Sequence, residues 1–503
     1  MRRSPSILIA LLFNALVAAQ PDSVALRFAN TISSNELREH LTVIASDAYL
    51  GRDTGKQGQK MAAAYLKEAF MKAGIPPVPA PDPSAIVDGY FQPFDVIEER
   101  SGTISLLHSG RSLVYGKELI YFQESAIPDR DLVELTVVPR KANLDAIALR
   151  GKDLVIDTRD MGKGAAIIGP LRERTELLFR DGAVLVLALV DDLQGLLTQL
   201  HLRDSQMRLA DQEKKGPNRA GHSQLILIDR KVAESILAHN VLACSVKMKR
   251  LSTIPVDLGV RVSISEQRLT TENVLAYIEG TDKKDELVVL TAHYDHVGVK
   301  DGVVYNGADD DGTGTVAMIE IAEAFAQAKA AGKGPRRSVL VMPVSGEEKG
   351  LLGSRYYSEH PVFPLANTVV DLNIDMIGRR DSVHATSAPY IYVIGSDRLS
   401  SGLHLANEHA NRTYTQLELD YTFNAESDPN RFYYRSDHYN FARKGVPSVF
   451  YFSGIHEDYH QPGDDVEKID FDLLHQRTLL VFHTAWILAN QEERISVDKP
   501  LKP

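Results

Sequence analysis

The sequence predicts an α/β fold, a mixed and mainly parallel sheet flanked by helices, with a smaller, mostly β domain inserted into it. Three observations predict this. From Leu258 onward, strand-like and helix-like stretches alternate, the pattern of a parallel sheet covered on both faces. Three of the four strand candidates there run directly into clustered acids or a His-x-Asp, and the fourth runs toward His460. Between about Val96 and Pro255 the texture changes to short β-like runs with some helix.

In chain order, Ser34 is placed to cap a helix through Leu37, Leu41 and Ile44. A second helix carries Met61, Tyr65, Leu66 and Phe70 and stops at Gly74, before a Pro-rich loop from Pro76 to Pro83. The inserted block has β-like runs at 103–107, 132–138, 154–157 and 183–190, and a helix around 171–181. In the last block 287–290 is an apolar strand candidate ending before His293, and 316–329 is a helix with Met318, Ile321, Ala322 and Phe325 on one face. Strand candidates at 339–344, 368–374 and 448–452 follow. Pro343 points to an extreme strand end or an edge position. The expected domains are 20–95 with 256–503 for the α/β part and 96–255 for the insertion.

Composition narrows the function. The chain has 503 residues, 44% apolar and 24% charged, the ordinary balance of a soluble globular protein. A formal net charge of −11 and the lack of any dense Lys/Arg run argue against a nucleic-acid partner. Residues 1–19 read as a signal peptide: Arg2 and Arg3, an apolar stretch from Ile7 to Val17, then Ala18 and Ala19. That stretch is shorter than the ~18–20 residues of a membrane span. The expectation is an exported protein, periplasmic or extracellular, without a stable span. Cys244 is the only cysteine, so thiolate metal sites of the Cys₄ or Cys₂His₂ kind are excluded, and it is a poor candidate for a nucleophile. Any transition metal must be held by imidazole and carboxylate.

Five stretches offer such groups: TAHYDH at 291–296, NGADDDGTG at 306–314, SGEEKGLLGS at 345–354, NIDMIG at 373–378 and DYHQPGDD at 458–465. Singly each is weak. A Glu-Glu pair usually opens a solvated helix, and an Asp triplet beside Gly is usually a loop or a calcium site. Together they supply what a two-metal hydrolytic site needs. Imidazole and carboxylate suit zinc, two ions about 3.5–4 Å apart share a carboxylate and a water, and a free carboxylate removes the proton.

With these motifs in this order, the chain resembles the dinuclear zinc aminopeptidases of the bacterial leucyl-aminopeptidase type. Their superfamily also holds glutamate carboxypeptidases, glutaminyl cyclases and the transferrin receptor. The resemblance covers roughly 30–95 and 256–490 and implies the zinc exopeptidase fold. It implies two Zn²⁺ per chain, with Co²⁺ or Mn²⁺ able to take the same ligands. His293 and Asp375 would bind one ion, Glu348 and His460 the other, and Asp309 would bridge them. Glu347 would be the general base, Asp295 would hold the far nitrogen of the His293 ring, and Tyr459 would donate a hydrogen bond to the tetrahedral intermediate. Asp310 and Asp311 are assigned to the turn and helix start. His296, His438 and His456 are read as neighbours of the site rather than ligands, and Asp437 as a candidate support. Residues 96–255 more faintly resemble a protease-associated domain.

The implied substrate is a peptide or small protein cut at its N-terminus. A carboxypeptidase or dipeptidase on the same scaffold is the nearest rival, and would need Arg379, Arg435 or Lys349 to clamp a carboxylate. Glutaminyl cyclase is opposed by the position of the only Trp, Trp486, in a C-terminal helix candidate. A catalytically silent binding protein is opposed by the complete set of ligands and base.

Overall fold

The computed structural model describes residues 21–79, 87–100, 103–121, 127–140, 149–200, 205–212, 223–237, 251–263 and 266–499. The expected signal peptide and Cys244 lie outside the described residues. The chain divides into two compact units, one formed by Met1–Phe94 with Thr270–Pro503, the other by Asp95–Leu269.

The first unit is built on a seven-stranded sheet. Its strands are β1 (Ala276–Ile278), β2 (Lys283–His293), β3 (Arg337–Val344), β4 (Thr368–Ile374), β5 (Tyr390–Ile394), β6 (Glu418–Asp420) and β7 (Ser448–Phe452). The spatial order is β1-β3-β2-β4-β7-β5-β6. The four central strands run parallel, β1 pairs antiparallel with β3, and β5 pairs antiparallel with β7. β3, β4 and β7 are buried along their whole length, as parallel strands covered on both faces must be. Pro343 is the penultimate residue of β3, beyond Val341, the last residue that β1 pairs with there.

The helices of this unit are α1 (Ser23–Ala29), α2 (Ser34–Ile44), α3 (Gln57–Lys72), α4 (Gly314–Ala330), α5 (Leu352–Glu359), α6 (Ser401–Ala410), α7 (His438–Ala442) and α8 (Phe471–Asn490). Alternate strand residues divide between two cores. Val288, Leu290, Val339, Val341, Val370 and Leu372 pack with residues of α2, α4 and α8, while Leu287, Val289, Leu340 and Met342 pack with Tyr357 of α5 and Phe441 of α7. Each such side chain contributes roughly 1.5–3 kcal/mol on full burial. Trp486 of α8 lies in the first core, stacked near Phe28 and Phe325.

The cap of α2 is Ser33 rather than Ser34. Its hydroxyl accepts the Glu36 N–H at 3.1 Å and donates to the Glu36 carboxylate at 2.8 Å, while its own amide turns to Glu320 instead of closing a full capping box. On α4 the apolar face expected from 316–329 is present, but Glu320 is buried as well, 3% exposed, with the Ser33 amide at 3.3 Å and His40 Nε2 at 3.7 Å from its carboxylate. Burial, reinforced by Glu36, Glu323 and Glu39, pushes its carboxyl up to about 8. The unfolded chain gives up this proton near 4.5 and the folded chain near 8, so stability falls as pH rises between those values. Glu320→Gln should therefore unfold at a higher temperature than the parent at pH 9, by roughly 2–4 kcal/mol, with the difference closing at pH 5. Thermal melts at both pH values check this; a gap that does not depend on pH would remove the buried acid as its cause.

The second unit is mostly β, as expected, with helices mixed in. In its eight-stranded sheet, Arg130–Val138, Asp153–Asp157, Leu185–Val190 and Gln224–Asp229 run parallel. Helices Ile168–Arg180 and Leu193–Leu200 lie between successive members of this set. The cause is visible in Leu185–Val190, six apolar residues that are all buried. Leu185, Leu187 and Leu189 enter one core and Val186, Ala188 and Val190 another, so both faces of the sheet need covering. The strand Ser252–Val262 also belongs to this sheet, so the chain returns to the first unit at Thr270 rather than at 256.

Candidate metal centre

Every expected site residue in the first unit comes from beyond the carboxyl end of a central strand, the crevice where open α/β sheets place ligands. His293 ends β2, Glu347 and Glu348 follow β3, Asp375 follows β4, and His460 lies in the loop after β7. The Asp triplet lies in the turn that feeds α4.

His293 Nε2 is 3.2 Å from Asp310 Oδ1 and 3.6 Å from Asp375 Oδ1. His460 Nε2 is 3.0 Å from both Asp310 Oδ2 and Glu348 Oε1. His296 Nδ1 is 3.0 Å from the same Glu348 oxygen and 3.9 Å from Asp310 Oδ2. The two oxygens of Asp310 thus face two separate groups of donors. Ligands about 2.0–2.2 Å from a tetrahedral zinc lie some 3.4 Å apart, so both groups have the right span. Asp310 Oδ2, Glu348 Oε1 and both nitrogens of His296 are buried without a hydrogen-bond partner. Of the His296 nitrogens, Nδ1 is the one that lies beside the two carboxylate oxygens. Residues of this kind, so placed, fit two divalent cations.

The expected bridge needs correction: Asp309 does not face these groups. Its Oδ1 accepts the Gly378 N–H at 2.6 Å and the Thr313 hydroxyl at 3.0 Å, and its Oδ2 lies 3.3 Å from His456 Nε2. Gly378 is needed for that approach, since a Cβ there would fall 2.4 Å from Thr313 and 2.9 Å from Asp309. Asp464 accepts the amides of Asp309 and Asp310, and Asp311 accepts those of Gly314 and Met376. Of three adjacent acids, two brace the turn and the middle one enters the site.

Asp295 also acts differently from expectation. His293 Nδ1 lies 3.0 Å from the Asp295 backbone carbonyl, whereas the Asp295 carboxylate is 4.0 Å away. That carboxylate accepts the Thr54 hydroxyl at 2.7 Å and the Glu347 amide at 3.2 Å. It therefore positions the residue after Gly346 while its own backbone orients the imidazole. Asp375 is oriented by Ser436, whose hydroxyl donates to it at 2.6 Å. Asp437 is buried and takes the Ser354 hydroxyl, and His438 packs against Phe450, so neither faces the cluster's convergence points.

One residue the sequence reading passes over is Arg52. Fully buried, it donates to the carbonyls of Ile44, Tyr294, Asn306 and Gly307 at 2.7–2.9 Å, tying the β2 end to the turn before Asp310. Arg477 of α8 does the same for the stretch after β4, donating to the carbonyls of Ile377, Arg379 and Tyr390. No local sequence signal marks either, because their acceptors are backbone atoms far away in the chain.

Electrostatics separates the acids. Burial pushes the Glu347 carboxyl well up, with His293 opposing and Glu348 and Asp375 adding to it. Burial also opposes ionisation of Asp310 and Glu348, but the neighbouring imidazoles outweigh it and hold both well below the usual carboxylate range. Glu347 lies 3.9 Å from His293 Nε2 and stays outside both converging groups. It lines a pocket with Asp310, Asp375, Met376, Phe432, Arg435, Phe450, Phe452, Ile455 and Tyr459. Of the three candidate clamps, Lys349 is paired with Asp53, and Arg379 with Glu457 and Asp458. Arg435 is exposed in the pocket, 3.4 Å from the Tyr459 hydroxyl.

Residues 273–485 match peptidase family M28. This segment resembles the M28 peptidases. Among relatives, the chain is 27% identical to a probable zinc metalloprotease of Pyrenophora teres f. teres over 44% of its length and 52% of the relative's. It is 28% identical to a probable leucine aminopeptidase of Arthroderma otae over 46% and 61%. The chain thus spans between half and two thirds of the length of these M28-like relatives. Among solved structures, an aminopeptidase from Aneurinibacillus sp. strain AM-1 superimposes with a TM-score of 0.57 at 17% identity, covering 95% of this chain and 100% of that one. A zinc aminopeptidase from Bacillus subtilis gives 0.54 at 19%, covering 94% and 99%. These likenesses show the shared zinc exopeptidase fold.

Proposed function

We propose that the protein is an exported exopeptidase that removes N-terminal residues from peptides, with two zinc ions at the M28 centre. One observation carries this reading: two ligand groups share Asp310, and the unaligned acid Glu347 stands beside them at the wall of a pocket. His293 and Asp375 would hold one ion and His460 and Glu348 the other, with Asp310 facing both groups. Bound there, the ions polarise the scissile carbonyl and lower the pKa of water. Glu347 takes the proton from the attacking water and passes it to the leaving amine, a task that suits a carboxyl raised by burial. Tyr459 donates to the oxygen that becomes negative as the carbonyl turns tetrahedral. Met376, Phe432, Phe450, Phe452 and Ile455 receive an apolar side chain next to the cleaved bond.

Arg435 favours a second reading. Among the described residues no carboxylate ion-pairs with it, so it is available to a substrate's C-terminal carboxylate, as a carboxypeptidase or dipeptidase requires. Cobalt or manganese suits the same ligands. Export rests on the N-terminal pattern, and no described helix is long and apolar enough to cross a membrane. The second unit is read as the protease-associated-like insertion.

Aminoacyl-p-nitroanilides assayed beside N-blocked dipeptides, with zinc measured on the same sample, test the assignment. Cleavage of free-amine substrates with apolar first residues, and two zincs per chain, is expected. Cleavage of the blocked peptides alone would transfer the assignment to the carboxypeptidase reading.

A further inference from the structure

The M28 centre holds one imidazole more than a site with one histidine per ion requires. His296 is fully buried, and neither of its ring nitrogens has a hydrogen-bond partner. Leaving such a group unpaired costs about 1–3 kcal/mol, and for Nδ1 the groups within reach are the carboxylates of Glu348 and Asp310. Its Nδ1 points to Glu348 Oε1 at 3.0 Å, the oxygen that His460 Nε2 also approaches at 3.0 Å. The two rings meet edge to face with centroids 5.8 Å apart, so both nitrogens reach one side of the same carboxylate without stacking. Gly307 fixes the ring from behind: a Cβ there would come within 2.5 Å of it, and the φ of +55° is one that glycine adopts without strain. The imidazole is held in place by packing with its lone pair directed at the site.

We propose that His296 is a direct ligand of the second cation, which makes the two metal positions chemically unlike. The inference rests on the dinuclear reading above. One position has a single imidazole, His293, with carboxylates from Asp310 and Asp375. The other has two, His296 and His460, with carboxylates from Glu348 and Asp310. Nitrogen-rich sites select zinc over harder cations, whereas oxygen-rich ones admit manganese and magnesium. The second position therefore fills first with zinc and keeps it longest, and the first position is the exchangeable one.

Two measurements test this. Chelator-stripped protein is titrated with Zn²⁺ by calorimetry, for the parent and for His296→Gln, with melting of both stripped proteins to verify folding. The parent is expected to bind two ions in resolved steps. The variant should lose at least about 100-fold in the tighter step, more than the 10- to 100-fold typical of groups that merely orient a ligand, and keep the weaker one. Two unchanged steps would overturn the inference. X-ray absorption on the fully loaded parent needs no variant: three imidazoles shared by the two zincs are expected, and two would overturn it. A parent that binds only one ion in total would instead sink the dinuclear reading itself, a result distinct from two ions with two imidazoles.

Discussion

Glu347→Gln is expected to reduce kcat by about 10²- to 10⁴-fold while leaving zinc content at the parental value. Gln has the shape of Glu but cannot take a proton from water. The change should be local, because the Glu347 backbone amide is fixed by the Asp295 carboxylate, itself held by Thr54. The Glu347 carboxylate stands apart from both converging ligand groups, so the metal affinities should not move. Steady-state rates on a free-amine substrate and metal analysis of the same preparation check both halves. A variant with near-parental turnover would show that another group removes the proton.

The second large effect separates two neighbours in the Asp triplet. Asp310→Asn should lower affinity for both ions, by about 10² or more each, since each oxygen serves a different group, and activity should vanish with the metal. Asp309→Asn should keep both ions and most of the activity. Its amide oxygen can still accept from Gly378 and Thr313, and the lost charge beside His456 should cost about 1–3 kcal/mol of stability. Equilibrium dialysis against Zn²⁺ compares the pair. The reverse outcome, metal lost with the Asp309 variant and retained with the Asp310 variant, would mean that the bridge has been placed on the wrong acid.

That pair also marks where the sequence stops being readable. The parallel strands at 368–374 and 448–452 were legible to the residue, because continuous apolar runs between turns have few alternatives. Their ends located Asp375 and His460, the strands before them located His293 and Glu348, and the structure brings these side chains together. Three consecutive acids, however, are chemically equivalent on paper. Only the backbone of the turn decides among them, with Asp310 at φ −102°, ψ 97° inside an otherwise coiled stretch. The burial of His296 is likewise invisible in the sequence, because it is a property of the folded chain alone. In the second unit the strands and the helix near 171–181 were legible, and one strand says more. Leu185–Val190 lacks the alternation of a half-exposed strand, which already points to a sheet covered on both sides. Ser33 and Glu36 likewise spell the capping-box pattern that marks the start of α2 one residue before the position chosen.

Arg477 reaches back from α8 to carbonyls about a hundred positions earlier, and His460 completes a ligand set begun at His293. During synthesis from the N-terminus, the ribosome has therefore released the first strands of the sheet long before the centre can exist. A growing chain that has reached Asp310 carries His293 and Asp310 but none of Glu348, Asp375 and His460, and has no brace for the stretch after β4. On the function proposed above, activity arrives only when the last loop and the last helix dock, so the nascent polypeptide would spend most of its translation time unable to cut anything, itself included.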